Sequence, residues 1–197
     1  MSLRRADVAA DPLEQFRRWF VDAREAVDVP EAMAIATATP DGAPSVRMVL
    51  LKRADEDGFV FHTSYEGRKG RELAANPRAA LLFHWAPQGR QVRIEGPVER
   101  VSREESEAYF RTRAPKSRIS ALVSPQSQVV PDRATLERWW HEAEERYGDD
   151  PPLPDEWGGF RVIPAAYEFW QHRDDRLHDR LRYRREGDAW VLERLAP

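Results

Sequence analysis

Between residues 32 and 63 three largely apolar stretches are parted by two short turn signals, and that rhythm restricts the fold more than any other feature. Residues 32–39 interleave Ala, Met and Ile with Thr. Pro40-Asp41-Gly42 then supplies a residue of fixed φ and a glycine free to take positive φ. A second run covers 45–52, a second turn 55–58, and a third run 59–63. Strands joined by turns this short pair as antiparallel neighbours. The pattern predicts a meander, then a short helix over 68–75 stopped by Asn76-Pro77, then strands over 79–85 and 90–101. Gly96-Pro97 inside the last strand predicts a bulge or bend, because proline cannot donate to a ladder.

Helical signals flank and interrupt the strands. Asp11-Pro12 reads as an N-cap with proline at the first helical position. Leu13, Phe16, Trp19, Phe20 and Ala23 follow at the spacing of a helix of about 14 residues. Ser102 and Glu105 form a capping-box pattern for a helix to about residue 113, broken at Ala114-Pro115. Residues 119–123 read as one more helical turn. Asp132 caps a helix through Tyr147, with Leu136, Trp139, Trp140 and Ala143 inward and Gly148 as its stop. Residues 149–154, with three prolines, read as a linker or extended arm. Short strands over 159–163 and 167–170 precede a hairpin of 176–184 and 190–195 turned at Glu186-Gly187-Asp188. Roughly seven or eight strands in hairpin order, with helices inserted, predict a β-rich α+β fold, an antiparallel barrel with peripheral helices. Residues 1–10 are expected to be loose and 11–197 to form one domain.

Charged residues make up 33% of the 197 positions, yet the net charge is only -3, which gives no reason to expect nucleic acid or an anionic membrane as partner. No apolar run is long enough to span a bilayer, and the first residues lack a signal-peptide core. The absence of cysteine removes disulfides, thiolate metal sites and cysteine nucleophiles, and a cytoplasmic location fits. There is no dinucleotide fingerprint, phosphate loop, His-Glu-x-x-His or Gly-x-Ser-x-Gly. His62, His84, His141, His172 and His178 have no metal-ligand spacing, so no metal is expected.

What remains suits anions. Arg68 and Lys69 open a helix, where the macrodipole disfavours cations by about 0.3–1 kcal/mol each unless an anion lies against them. Tyr109 and Arg113, at i and i+4, share a helix face, and Ser117 follows the break. Arg47 and Lys52 bracket the apolar run Met48 to Leu51, and Gln126-Ser127 sits in a polar loop. If 176–184 is a strand, Arg176, His178 and Arg180 share one face, with Leu177, Asp179, Leu181 and Tyr183 on the other. Each feature also has an ordinary reading as solvated surface. Spacing alone suggests two anion sites and one basic strand face, and names no ligand.

The motifs taken together resemble the pyridoxine (pyridoxamine) 5′-phosphate oxidase family. They are Asp11-Pro12-Leu13, the 47–52 run, Gly67-Arg68-Lys69, Asn76-Pro77-Arg78, Gln91-Val92, Tyr109-Phe110-x-x-Arg113 and the 117–120 run. Ser124-Pro125-Gln126-Ser127, Trp157-Gly158-Gly159-Phe160-Arg161, the 168–171 run, Arg176-Leu177-His178-Asp179-Arg180 and Arg194-Leu195-Ala196-Pro197 complete the series in family order.

The resemblance implies an FMN-binding split β-barrel, a homodimer with FMN at the interface. Its reaction would be oxidation of pyridoxine or pyridoxamine 5′-phosphate to pyridoxal 5′-phosphate, with O2 as acceptor and hydrogen peroxide as product. It implies FMN contacts from Arg47, Met48, Val49, Leu50, Leu51, Lys52, His62, Thr63, Arg68, Lys69, Gln91, Gln126, Ser127, Trp170 and Arg180. Lys52, Tyr109, Arg113 and Ser117 would cradle the substrate phosphate, and Arg176 and His178 would lie over the substrate ring as catalytic residues. The chain departs from the family pattern at three points. It begins just downstream of an Arg-Arg-x-Tyr segment that helps cover the substrate, His62 stands where Tyr is common, and His172 stands where Gly is usual. Two alternatives stay open, a phenazine-type FMN oxidase of another aromatic substrate and a non-catalytic flavin or pyridoxal-phosphate binder.

Overall fold

The sheet branches at its longest strand, β6 (Arg90–Arg100). One edge of β6 pairs with β5 (Arg78–Trp85), from Trp85↔Arg90 to Arg78↔Pro97. The other edge pairs first with β8 (Ala166–Gln171), from Arg90↔Gln171 to Glu95↔Ala166, and then with β7 (Trp157–Val162), from Val98↔Val162 to Arg100↔Phe160. The change of partner falls at Gly96-Pro97, the expected bend. A Cβ on Gly96 would stand 1.8 Å from the Ile163 carbonyl oxygen, so only glycine admits the crossing strand there. Beyond β5 the sheet continues through β1 (Ala32–Ala38) to β2 (Pro44–Leu50); beyond β8 it continues through β9 (Asp179–Glu186) to β10 (Ala189–Leu195). β7 leads to β4 (Gly58–Ser64) and β3 (Arg53–Asp55). The result is an antiparallel split barrel with peripheral helices, seen in a computed structural model that describes residues 3–197.

Helix α1 (Pro12–Ala26) begins as its cap predicts, with the Asp11 side chain accepting from Glu14 N. Its apolar stripe enters the barrel. Phe16 is 1% exposed and packs edge-on against Phe59, ring centroids 4.9 Å apart, while Trp19 meets Phe169 at 5.2 Å. Each such aromatic contributes about 1.5–3 kcal/mol by leaving water. α2 (Arg68–Ala75) follows β4, and α3 (Arg103–Thr112), α4 (Pro115–Val123) and α5 (Arg133–Tyr147) lie between β6 and β7 in sequence.

The structure corrects several expectations. There are ten strands among the described residues; one of them, the short β3, begins in the gap between the second run and the turn expected at 55–58 and pairs with β4. The turn expected at 119–123 is a full helix with Pro115 at its start. On α5 only Ala143 of the four residues expected inward is buried; Leu136, Trp139 and Trp140 are half-buried. Residues 3–10 are tethered rather than loose. Leu3 is buried, its N donates to Asp179 Oδ2 at 3.0 Å, and Arg194 Nη2 donates to its carbonyl at 2.7 Å. Residues 1 and 2 of that segment lie outside the described residues. The arm at 149–154 is pinned to α3, with Arg103 donating to the carbonyls of Leu153 and Pro154 at 2.8 Å each. No helix among the described residues is long and apolar enough to cross a membrane.

Candidate functional site

A cleft of about 470 Å³ opens between β2, β4, the α3–α4 junction and the 124–131 loop. Met48, Val49, Leu50, Lys52, His62, Thr63, Lys69, Tyr109, Arg113, Ser117 and Gln126, all expected site residues, line it together with Ala114 and Trp157. Residues 48 to 126 converge because β2 and β4 bring one wall and α3 ends at Arg113 on the other. Lys69 Nζ donates to Thr63 Oγ1 at 3.0 Å and to Gln126 Oε1 at 2.8 Å, and Thr63 Oγ1 donates to Gln126 Oε1 at 2.9 Å. A Cβ on Gly67 would approach Gln126 Oε1 to 2.5 Å, so glycine at the α2 cap lets the loop close over the helix start.

The floor of the cleft is aromatic and cationic. The His62 ring stacks on Tyr109 at 4.0 Å and on Trp157 at 5.4 Å. Arg113 Cζ stands 4.8 Å over the Trp157 ring, and Lys52 Nζ 5.8 Å over Tyr109. Three buried nitrogens here, Arg113 Nη1 and both ring nitrogens of His62, have no hydrogen-bond partner among the described residues. Buried polar atoms are satisfied as a rule, so this cluster is a candidate place for a ligand to bond. Burial holds the Arg113 pKa below its ordinary value and pushes His62 down to about 4, helped by Arg113, Lys52 and Arg53.

His62 is therefore neutral near pH 7, and the sign of its effect on stability follows. Between pH about 6.5 and about 4 the unfolded chain takes up a proton that the folded chain refuses, so stability falls as pH falls through that window. We expect wild type to lose about 2 kcal/mol to this group between pH 7.5 and 4.5, allowing for partial exposure. Urea unfolding of His62→Phe should lack that component, and an unchanged pH slope would contradict it.

A second cluster adjoins the cleft. Glu72, 5% exposed, accepts from Arg68 Nε at 2.8 Å, Arg47 Nη2 at 3.2 Å, Ser45 Oγ at 2.5 Å and Thr37 Oγ1. Burial alone would raise its pKa, but bonds from Ser45, Thr37, Arg68 and Arg47 bring it down to about 2. The cations at the start of α2 are thus offset in part from within, by an i, i+4 pair, rather than wholly by an outside anion. The 47–52 run is not a buried strand. Met48 is 63% and Leu50 42% exposed, since β2 ends its branch of the sheet and pairs only with β1. Leu51 turns into the core, and the half-buried Val49 packs against it.

The remaining expected residues lie elsewhere. Gln91, Trp170 and Arg180 form one cross-strand row on β6, β8 and β9. Arg176 and His178 are not on a strand with Arg180. The last β8–β9 pair is Gln171↔Asp179, so 172–178 is a connecting loop to which the two-residue period does not apply. Leu177 is accordingly 67% exposed. In that loop Arg173 N donates to His178 Nδ1 at 3.1 Å, which leaves Nε2 to carry the proton of the neutral ring. The His178 ring lies 4.6 Å from Trp170. Arg176 and Ser127 are the two non-glycine residues with positive φ, 64° and 67°, among the described residues. Backbone strain of this kind collects where a loop serves a ligand. The β1 and β5 strands separate this row from β2, so the expected residues fall into two separate groups.

Residues 22–147 match the family model described as pyridoxamine 5′-phosphate oxidase, and 157–197 match the pyridoxine 5′-phosphate oxidase C-terminal dimerisation region. The chain belongs to the pyridoxine/pyridoxamine 5′-phosphate oxidase family. A relative of that name from Ralstonia pickettii is 57% identical over 198 residues, covering 100% of this chain and 93% of its own length. One from Gluconobacter oxydans is 55% identical over 97% of this chain and 96% of its own. Among solved structures, PhzG from Burkholderia lata 383 in complex with tetrahydrophenazine-1-carboxylic acid has a TM-score of 0.93 and 34% identity, covering 98% of this chain and 95% of its own. An FMN-binding protein related to pyridoxamine 5′-phosphate oxidase from Nostoc punctiforme shares the fold, with a TM-score of 0.75 at 15% identity, covering 96% of this chain and all of its own.

Three residues in contact with expected site residues were given no role in the reading of the sequence. Trp157 is the platform for Arg113 and His62, Glu72 fastens Arg47 and Arg68, and Glu168 fastens Arg180. Trp157 and Glu168 stood in the family motifs without a role, and Glu72 left a signal in its i, i+4 spacing from Arg68.

Proposed function

We propose that the chain is an FMN-dependent oxidase of pyridoxine 5′-phosphate and pyridoxamine 5′-phosphate that forms pyridoxal 5′-phosphate and hydrogen peroxide. The observation that carries the reading is the cleft where Lys52, Tyr109, Arg113 and Ser117 converge with unpartnered buried donors. Guanidinium, ammonium and hydroxyl groups converging there suit a phosphate ester. A second phosphate, that of FMN, suits Arg47, Arg68, Lys69 and Ser127 beside it. The donor set supports this fit: of five cations in and beside the cleft, Arg47, Lys52, Arg68, Lys69 and Arg113, the buried carboxylate of Glu72 pairs with two, Arg47 and Arg68.

FMN, when bound, supplies the hydride acceptor and the route to O2. The protein holds the two rings together and sets the charge around them. In this reading Gln91, Trp170 and Arg180 face the flavin, and Arg176 and His178 cover the substrate ring near its reacting carbon. The two part-sites of one chain become one site when the C-terminal region of a second copy packs against β2, so the active form is a homodimer. The reaction is placed in the cytoplasm.

Anaerobic mixing of the purified yellow protein with pyridoxamine 5′-phosphate should bleach the flavin band in a single turnover. A colourless protein that FMN does not stabilise, or bound FMN that does not bleach, overturns the proposal; the latter result indicates a binder. The likeness to PhzG supports a second reading, oxidation of a phenazine precursor. Turnover of a reduced phenazine carboxylate without turnover of the phosphate ester would favour it.

A further inference from the structure

On the face of the sheet that carries Gln91, Trp170 and Arg180 lies a carboxylate that the reading above leaves without a role. Glu168 on β8 is 7% exposed, although its neighbours on that face are long charged side chains. Its Oε1 accepts from Arg180 Nε at 2.7 Å and its Oε2 from Arg93 Nη2 at 2.6 Å. The geometry is selective. The residue directly across from Glu168 on β9 is Arg182, but Arg182 turns to Glu193, donating from Nε at 3.0 Å and from Nη2 at 2.7 Å. Glu168 is thereby left to reach diagonally to Arg180. A third contact completes the seat, Arg180 Nη1 to the Ala196 carbonyl at 2.8 Å. Two of the three guanidinium nitrogens are held, and Nη2 has no hydrogen-bond partner among the described residues. The planar fork can then present Nη2 in one direction only.

We propose that Glu168 is a positioning residue for the cofactor: it acts through Arg180, fixing the direction and the charge that this guanidinium offers to the flavin ring. The inference rests on the FMN reading. Arg93 completes the device by occupying the second carboxylate oxygen, and it is itself paired with Glu95 at 2.8 Å. A buried carboxylate satisfied on both oxygens keeps one orientation, and so does the arginine bound to it. The Arg180 guanidinium, always charged in water, keeps that charge in a fixed place against a ring that gains electrons.

FMN titrated into apoprotein, followed by quenching of its fluorescence, tests this without turnover. Glu168→Ala should weaken FMN binding by about tenfold or more, the scale of a charge-assisted hydrogen bond, and should shift the visible absorption band of the flavin that remains bound. Arg180→Ala should weaken it at least as much. The double variant should be no weaker than Arg180→Ala alone, because Glu168 has nothing left to position. A role in folding alone predicts losses that multiply and an unshifted band. Glu168→Gln keeps one acceptor oxygen and should recover part of the affinity, and it supplies the same comparison if Glu168→Ala folds poorly. Wild-type affinity and spectrum in Glu168→Ala, or multiplied losses in the double variant, overturn the inference while the FMN reading stands. A wild-type protein that takes up no FMN overturns both.

Discussion

Replacing Arg113 by alanine is expected to raise KM for pyridoxine 5′-phosphate by about two to three orders of magnitude, with a much smaller change in kcat. The guanidinium is half-buried, stands over Trp157 at 4.8 Å, and has one nitrogen with no partner among the described residues. Losing one member of a desolvated charge pair costs about 2–5 kcal/mol, and every 1.4 kcal/mol is about tenfold. The phosphate lies away from the reacting carbon, so the contact is made equally before and during the reaction. Such uniform binding appears in KM rather than in kcat. Arg113→Lys keeps the charge but loses the fork and should fall between. Steady-state kinetics on the three proteins decides the matter. An unchanged KM would remove the phosphate cradle from the proposed function and favour the phenazine-type reading.

Glu72→Gln should lower stability by about 3 kcal/mol at pH 7, the second large effect. The native carboxyl titrates at about 2, against an ordinary value of 4.5. A depressed native pKa stabilises the fold fully above the unfolded value, and that stabilisation is lost as pH falls from about 4.5 toward 2. The variant should therefore be much weaker than wild type at pH 7 and nearly equal to it at pH 2. Denaturant unfolding at the two pH values measures both gaps, and equal stability at pH 7 would contradict the argument. FMN affinity should fall as well, since Arg47 and Arg68 lose the acceptor that fixes them.

Local signals placed most elements because their causes are local. Asp11 caps α1, Gly96-Pro97 marks where β6 changes partner, and Gly187 turns the last hairpin at φ 59°. Arg176 and His178 show where that logic stops. Their alternation with Arg180 looks like a strand face, but a strand exists only where a partner is in register, and the partner ends at Gln171. β3 failed for the converse reason, since three residues too short to show a period became a strand because β4 lay beside them.

The sequence by itself determined the family, the antiparallel order of strands and most of the cleft's side chains, because each depends on residue type and on neighbours a few positions away. Only the tertiary structure decided that Trp157 lies under Arg113 and His62, and that Glu72 and Glu168 each fasten two arginines. Those contacts span up to tens of residues of chain and rest on burial. A glutamate is an ordinary surface residue until folding removes its water and leaves two guanidinium groups as its partners.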